Sequence, residues 1–446
     1  MLRIFFSLPL LFCWIGIAAA EPVRLSIKDA VSLAAGTSNM VKAEKFRLAA
    51  AQSGVDLAGS HYLPRLGFEE AFAASNSPTQ TFMMKLDEGR FAVNDLQIAN
   101  LNNPGTQHDF RTALVLTQPL FNPAIAPTRE IAVKQAESQS MSLETTRQEM
   151  AFAAFRLYLE IQKAQARVRA AETALGESRE NLRLAKVRTE NGVGLKSDEL
   201  RAKTHQASIE QKLITEKNVL SLARMQLEKL LGFKEGENLE VDGAISDVPS
   251  PPGQNDLITT ALENRSDLLQ MKSEQEKANA GVKLARNSYL PSVAAFASYQ
   301  LNSKDTPFGA DNDSWMAGAT LKWQIFDGFA RSSEYRRAVA NRSASSEYIE
   351  NQIKEVVYGV KESLLKHDEA DKRLEVAKNT VQDAEETVRL ISRRYENSLA
   401  TMYELLDAQT VLNQARSGLI DDETNLALAT GQIYHAAGIF LKEMSK

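Results

Sequence analysis

The apolar positions of this chain change period in a fixed order, and the order occurs twice. The longest stretches are helical. Leu143, Met150, Ala154, Leu157, Ile161, Ala164, Val168, Ala171, Leu175, Leu182 and Ala185 keep a three-and-four spacing, and Ile349, Val356, Val360, Ala370, Leu374, Ala377, Val381, Ala384, Val388 and Ile391 keep it again. More than six heptads without a break predict coiled-coil packing. The first run, from about Pro127 to Glu190, holds 64 residues, roughly 95 Å of helix at a rise of about 1.5 Å per residue. A second helix returns from each. Ile209, Leu213, Leu220, Ala223, Leu227 and Leu230 line one, and Ala415, Leu419, Leu426, Ala429 and Ile433 line the other. The turns between fall at Asn191-Gly192-Val193-Gly194 and Asn397-Ser398-Leu399-Ala400. Ser197 is the expected cap of the first return helix, with Asp198 and Glu199 at its positive end; Thr401 and Glu404 form a capping box for the second.

Ahead of each long helix the period falls to two. Leu66, Phe68 and Phe72 alternate with Arg65, Gly67, Glu69 and Ala71; Phe110, Thr112, Leu114 and Leu116 alternate with Arg111, Ala113, Val115 and Thr117. In the second half Val293, Ala295, Ala297, Tyr299 and Leu301 share one face, as do Trp315, Ala317, Ala319, Leu321, Trp323 and Ile325. Strands of this length suit a membrane barrel, with Tyr299, Trp315 and Trp323 as girdle aromatics; a hairpin lying on a soluble core is the alternative. Ser75 to Asp109 and Ser298 to Asp313 read as polar loops, the first longer and carrying Phe82-Met83-Met84 and Phe91. A short helix pair precedes each strand pair. Ser26 with Asp29 caps the first and Asn255 the second, and both pairs stop at Tyr-Leu-Pro.

The two halves also match residue for residue. Val55, Leu57, Ala58, Tyr62, Leu63 and Pro64 recur 227 positions on as Val282, Leu284, Ala285, Tyr289, Leu290 and Pro291. Arg188, Glu190, Asn191, Leu200, Ala202 and Gly232 recur 206 on as Arg394, Glu396, Asn397, Leu406, Ala408 and Gly438. The difference, 227 − 206 = 21 residues, is the extra length of the first copy's loop. The expected organisation is a first repeat over 21–232 (helix pair, strand hairpin 64–121, helical hairpin 124–231), a linking segment over 233–256, a second repeat over 257–438 (helix pair, strand hairpin 291–326, helical hairpin 329–437) and a tail over 439–446.

Composition narrows the setting. Arg3, the apolar run Ile4 to Ile17 and Ala18-Ala19-Ala20 read as a secretory signal over 1–20. Cys13, inside it, is the only cysteine, so the mature chain would have no disulfide. The formal charge is −5, and losing Arg3 makes it −6, which argues against nucleic acid as a partner. No later stretch offers a spanning helix. The five histidines, His61, His108, His205, His367 and His435, are scattered, and neither a phosphate-cradling loop nor a metal-spaced cluster appears. We therefore expect no enzyme, no cofactor and no metal site.

Four strands cannot close a barrel, which takes about eight. Bare edges in lipid cost several kcal/mol per unpaired backbone group. If these strands span a membrane, several copies must complete the wall. The duplicated pattern resembles the TolC family of trimeric outer-membrane efflux channels over the whole mature chain. The motifs that carry the resemblance are Val282-Lys283-Leu284-Ala285-Arg286 leading to Tyr289-Leu290-Pro291, Gln118-Pro119-Leu120-Phe121-Asn122, Phe326-Asp327-Gly328, and Arg394-Tyr395-Glu396-Asn397 running to Leu406-Asp407-Ala408-Gln409. It implies a mainly α chain with a membrane β-barrel, three copies forming twelve strands continued by a twelve-helix periplasmic tunnel. It further implies a location in the cell outer membrane, contact with outer-membrane lipid, and two partners, a periplasmic adaptor (membrane fusion protein) and an inner-membrane transporter. A periplasmic adaptor or coiled-coil scaffold is the competing reading. An adaptor carries one helical hairpin and this chain reads as two; a scaffold needs no strands of spanning length.

The resemblance also suggests site residues. The family's acidic pair at the tunnel constriction falls on Glu404 and Asp407, three apart on one helix face, where clustering would raise their pKa values. The local alternative is that Glu404 is a cap partner and Asp407 a solvated acid. Tyr395 and Asp198 match residues that tie neighbouring hairpins in the closed state, whereas Ala400 stands where the family has an arginine. Gly192, Val193, Leu195, Asn397 and Leu399 are the expected docking tips for an adaptor; an ordinary helix turn is the alternative.

Overall fold

The computed structural model describes residues 23–233, 239–246, 248–249, 251 and 253–444. The expected signal over 1–20 and part of the linking segment lie outside the described residues. Two compact units arise by packing, and each draws on both repeats. One takes the chain up to Lys42, Thr146–Asn264 and everything from Val356 onward; the other takes Ala43–Thr145 and Arg265–Glu355.

In the first unit, strand β1 (Val23–Leu25) leads into helix α1 (Ile27–Thr37). The Ser26 hydroxyl accepts from the Asp29 N–H at 3.1 Å and the Asp29 carboxylate accepts the Ser26 N–H, as the capping box requires. Helix α2 (Asn39–Ser60) follows and passes into the second unit. The long helices α5 (Ile125–Glu190, 66 residues) and α9 (Ala330–Glu396, 67 residues) contribute to both units, and α6 (Lys196–Leu231) and α10 (Met402–Ala436) return from them. Strand β4 (Leu239–Val241) pairs parallel with β1, and α7 (Gln254–Asn264) and α11 (Phe440–Met444) complete this unit. Its core takes in Ala154, Ile161, Ala223 and Leu227 of the coiled-coil faces expected from the sequence, but also Phe155, Tyr158 and Leu159, which that spacing did not name. Tyr158, Ile161 and Leu227 are fully buried around Ala30, Ala34 and Ala154. The expected tail contributes Phe440, fully buried, whose ring meets Phe152 and Phe155 edge-on, each at 5.3 Å. Burying such a side chain is worth about 1.5–3 kcal/mol.

The second unit holds helix α8 (Ser266–Asn287) and a four-stranded antiparallel sheet in the order β2 (Arg65–Ser75), β3 (Gln107–Phe121), β5 (Ser292–Ser303), β6 (Asn312–Lys322). The β3–β5 pairing joins the hairpin of one repeat to that of the other. Strands β2 and β6 each have one unpaired edge among the described residues. Register sorts the side chains into two faces. Phe68, Leu114, Tyr299 and Trp315 make one cross-strand row, and Leu66, Leu116, Ala297 and Ala317 the next. The opposite face carries rows such as Ala71–Arg111–Asn302–Asn312 and Glu69–Ala113–Gln300–Ser314. One face is apolar and exposed; the other is largely polar.

Several boundaries differ from the sequence reading. The loop after β2 is not structureless: it folds into α3 (Pro78–Asp87), a 3-10 turn (Val93–Leu96) and α4 (Ile98–Asn102). The Ser298–Asp313 loop shrinks to 304–311, since β5 runs on to Ser303. Trp323 and Ile325 lie beyond β6, because Lys322 pairs with Ser292 and the partner strand begins there, after Pro291. Helix α5 begins at Ile125, and Pro127 sits in its first turn, where no intrahelical N–H bond is lost. Asn255 lies inside α7 rather than capping it. Ser197 is the second residue of α6, whose cap position is Leu195, with no side-chain cap bond.

Candidate functional site

The two helical-hairpin turns come together in the first unit. Beneath them Ala185, Ala202, Tyr395, Met402, Leu405 and Leu406 form a small buried cluster that draws on α5, α6, α9 and α10. Above it the first turn places Gly192 at φ +74, and Val193, Leu195 and Leu399 stand 70%, 66% and 69% exposed. Gly194 is required where it stands. A Cβ there would lie 2.9 Å from the Arg188 side chain and 3.0 Å from the Thr189 backbone nitrogen. Asn397 closes the end of α9, its side-chain amide donating to the Arg393 carbonyl at 2.8 Å.

Glu404 and Asp407 both lie on the uncovered face of α10, with Tyr403, Thr410 and Val411. The Glu404 carboxylate bends back to the helix start. Its Oε2 accepts the Thr401 N–H at 2.7 Å and the Thr401 hydroxyl at 3.0 Å, while the Glu404 N–H donates to Thr401 Oγ1 at 3.2 Å. The Thr401 backbone N–H and then its hydroxyl hold this carboxyl below the ordinary glutamate range, opposite to the direction expected for clustered acids. The cap is thus formed in the single chain, and the shared exposed face leaves Asp407 beside it.

Tyr395 is 6% exposed. Burial pushes its phenol up, Arg188 opposes this, and the charge of Asp198 adds to it. Asp198 is half-buried in the first turn of α6. The two residues therefore share one electrostatic neighbourhood. The residue that sequence reasoning passed over is Arg188. Its guanidinium lies 4.8 Å over the Tyr395 ring, Nη1 donates to the Tyr395 carbonyl at 2.8 Å, and Nη2 donates to Ser398 Oγ at 2.6 Å. It bridges the first hairpin to the second at the level where Ala400 supplies no cation. Its repeat counterpart Arg394 instead donates to the Leu399 carbonyl of its own turn at 3.2 Å. The repeat alignment marked both arginines, but not which of them crosses.

Further along, Asn181 Nδ2 donates to Gln409 Oε1 at 2.6 Å in a buried contact, and Arg167 Nη2 reaches both oxygens of Asp421 at 2.7 Å. These bonds fix the register of α5 against α10. Among the described residues no group of three His, Cys, Asp or Glu side chains is placed to hold a metal ion, and no helix is long and apolar enough to cross a membrane.

A family model described as outer membrane efflux protein matches residues 30–233 and 257–439. Outer membrane protein OprJ of Pseudomonas aeruginosa is 23% identical over 208 residues, covering 44% of this chain and 43% of the relative. Outer membrane protein TolC of Escherichia coli is 25% identical over 241 residues, covering 50% and 48%. The chain thus spans less than half the length of these curated relatives. The outer membrane protein VceC of Vibrio cholerae has the same fold, with a TM-score of 0.77 at 18% identity over 92% of this chain and 96% of that one.

Proposed function

The chain belongs to the outer membrane efflux protein family, and from that premise we propose that it is the outer-membrane channel of a tripartite efflux or type I secretion system. It acts as a passive exit duct for substrates delivered by an inner-membrane transporter through a periplasmic adaptor. The observation that carries the reading is the sheet: four strands of 11 to 15 residues, one apolar face, and an unpaired edge on either side. Backbone groups left bare in lipid are too costly to persist. Pairing β6 of one copy with β2 of the next removes both edges, and three copies supply twelve strands. The exposed apolar residues at the turns, Val193, Leu195 and Leu399, suit the adaptor's helical hairpin. Arg188, Tyr395 and Asp198 hold the turns of one protomer in register in the closed state. No catalytic role is assigned to any residue, and the choice of cargo rests with the pump.

On this reading Glu404 and Asp407 form two stacked acidic rings around the axis, a cation-attracting throat. The test is conductance of the purified channel across planar bilayers in a salt gradient. The native channel should be cation-selective, and Glu404→Gln with Asp407→Asn should shift its reversal potential toward zero. An unchanged reversal potential removes these residues from the throat; a protein that never conducts removes the duct.

A further inference from the structure

The insert between β2 and β3 carries a second reading, which rests on the channel function proposed above. Its first helix does not project from the end of the sheet but folds back over one face. The Asn312 side-chain amide donates to the Asp87 carbonyl at 2.9 Å, and Arg90 Nη2 donates to Gln107 Oε1 at 2.8 Å. Gly89, at φ +66, sits so close that a Cβ would lie 3.2 Å from the Asn312 side chain. Polar groups are buried at this contact: Asp109 is 8% and Asn302 1% exposed, and the Glu88 side chain is fully covered. Register identifies the face. Asn302 and Asn312 share a row with Arg111, and Gln107 and Asp109 point the same way at two-residue steps along β3. This is the polar face. In a barrel surrounded by lipid the apolar face turns outward and the polar one lines the lumen. The insert therefore lies on the lumen side, at the strand ends farthest from the helices.

The insert is also a folded piece in its own right. Phe82 and Phe91 meet edge-on at 4.6 Å, and Lys85 pairs with Asp95 at 2.7 Å. Yet Val93, Leu96 and Ile98 are 86%, 57% and 77% exposed. We propose that residues 78–105 form a second constriction at the outer mouth of the pore, where the inserts of adjoining copies meet through Val93, Leu96 and Ile98. The occupant is a second copy because both sheet edges must be paired by copies, and the insert springs directly from edge strand β2.

The test uses a bulky, membrane-impermeant maleimide added outside intact cells, with the full chain in a Cys13→Ser background. Ser298→Cys places a thiol on the polar face below the insert, and Leu114→Cys places one on the apolar face. Replacing 78–105 by a short Gly-Ser linker should speed labelling at Ser298→Cys about tenfold, the factor that about 1.4 kcal/mol of docking free energy imposes on the open fraction. The double variant Arg90→Ala, Asn312→Ala keeps the insert but cuts its anchors; it should also speed labelling, and it decides alone if the linker variant fails to assemble. Equal rates in all backgrounds overturn the constriction while leaving the channel standing. Labelling at Leu114→Cys with none at Ser298→Cys in any background reverses the faces and sinks the channel reading with it.

Discussion

Ser398 occupies a backbone conformation, φ +62, that its repeat counterpart Gly192 adopts without penalty at φ +74. Holding a serine there costs on the order of 1 kcal/mol. What the side chain returns is an acceptor for the Arg188 guanidinium at 2.6 Å, so strain and tether oppose each other at one residue. A double-mutant cycle separates them. Ser398→Gly should be close to neutral in the native chain and stabilising by roughly 0.5–1 kcal/mol in an Arg188→Ala background, a coupling readable from chemical denaturation. Additive effects would mean that the bond contributes nothing. At this scale legibility followed sequence distance. The Thr401–Glu404 box spans three residues and could be read directly. The partner of Arg188 lies 210 residues away, and Ala400, where the resemblance expects an arginine, pointed only to a missing contact and not to what replaces it.

The long helices were legible because their apolar positions keep one period for dozens of residues, and every position named on α5 and α9 is buried or half-buried. Helix ends were less so. Ser197 and Asn255 have good cap chemistry, but the helices begin at Lys196 and Gln254, so each lies in the first turn instead of capping it. The insert's helices were missed because ten and five residues are too few to establish a period. Packing between elements adds a constraint that no period shows. Gly431 on α10 meets the Phe155 ring, and an added Cβ would lie 2.8 Å from its Cζ. Phe155 is fully buried and has nowhere to move. The corresponding position of α6 in the repeat is Met225, 62% exposed, so the symmetry of the sequence is broken in the core. Gly431→Ala should therefore destabilise by about 1–3 kcal/mol, seen as a lower melting temperature, whereas Met225→Ala should be nearly silent. Equal effects would show that the two return helices pack alike.

For the whole molecule the decisive feature is which face of the sheet meets lipid. Leu114 and Val115 are neighbours in sequence and lie on opposite faces. On the proposed channel, Leu114→Arg should cost about 2–4 kcal/mol of barrel stability near mid-membrane, while Val115→Arg, on the polar face, should be tolerated. Urea unfolding in lipid vesicles reads the difference, and a reversed order would invert the barrel. The duplication, the long helices, the turns between them and the four strands of the larger sheet were legible in the sequence alone, because each is written in local periodicity or in repeated residues; the short parallel pair β1 and β4 was not, since three residues carry no period. Tertiary structure decided what depends on contacts between distant segments. The two hairpins merge into one sheet, the first loop folds over the polar face, and Arg188 rather than its repeat counterpart reaches across the turns. Such contacts leave no periodic trace, since the partners are set by packing and register rather than by spacing along the chain.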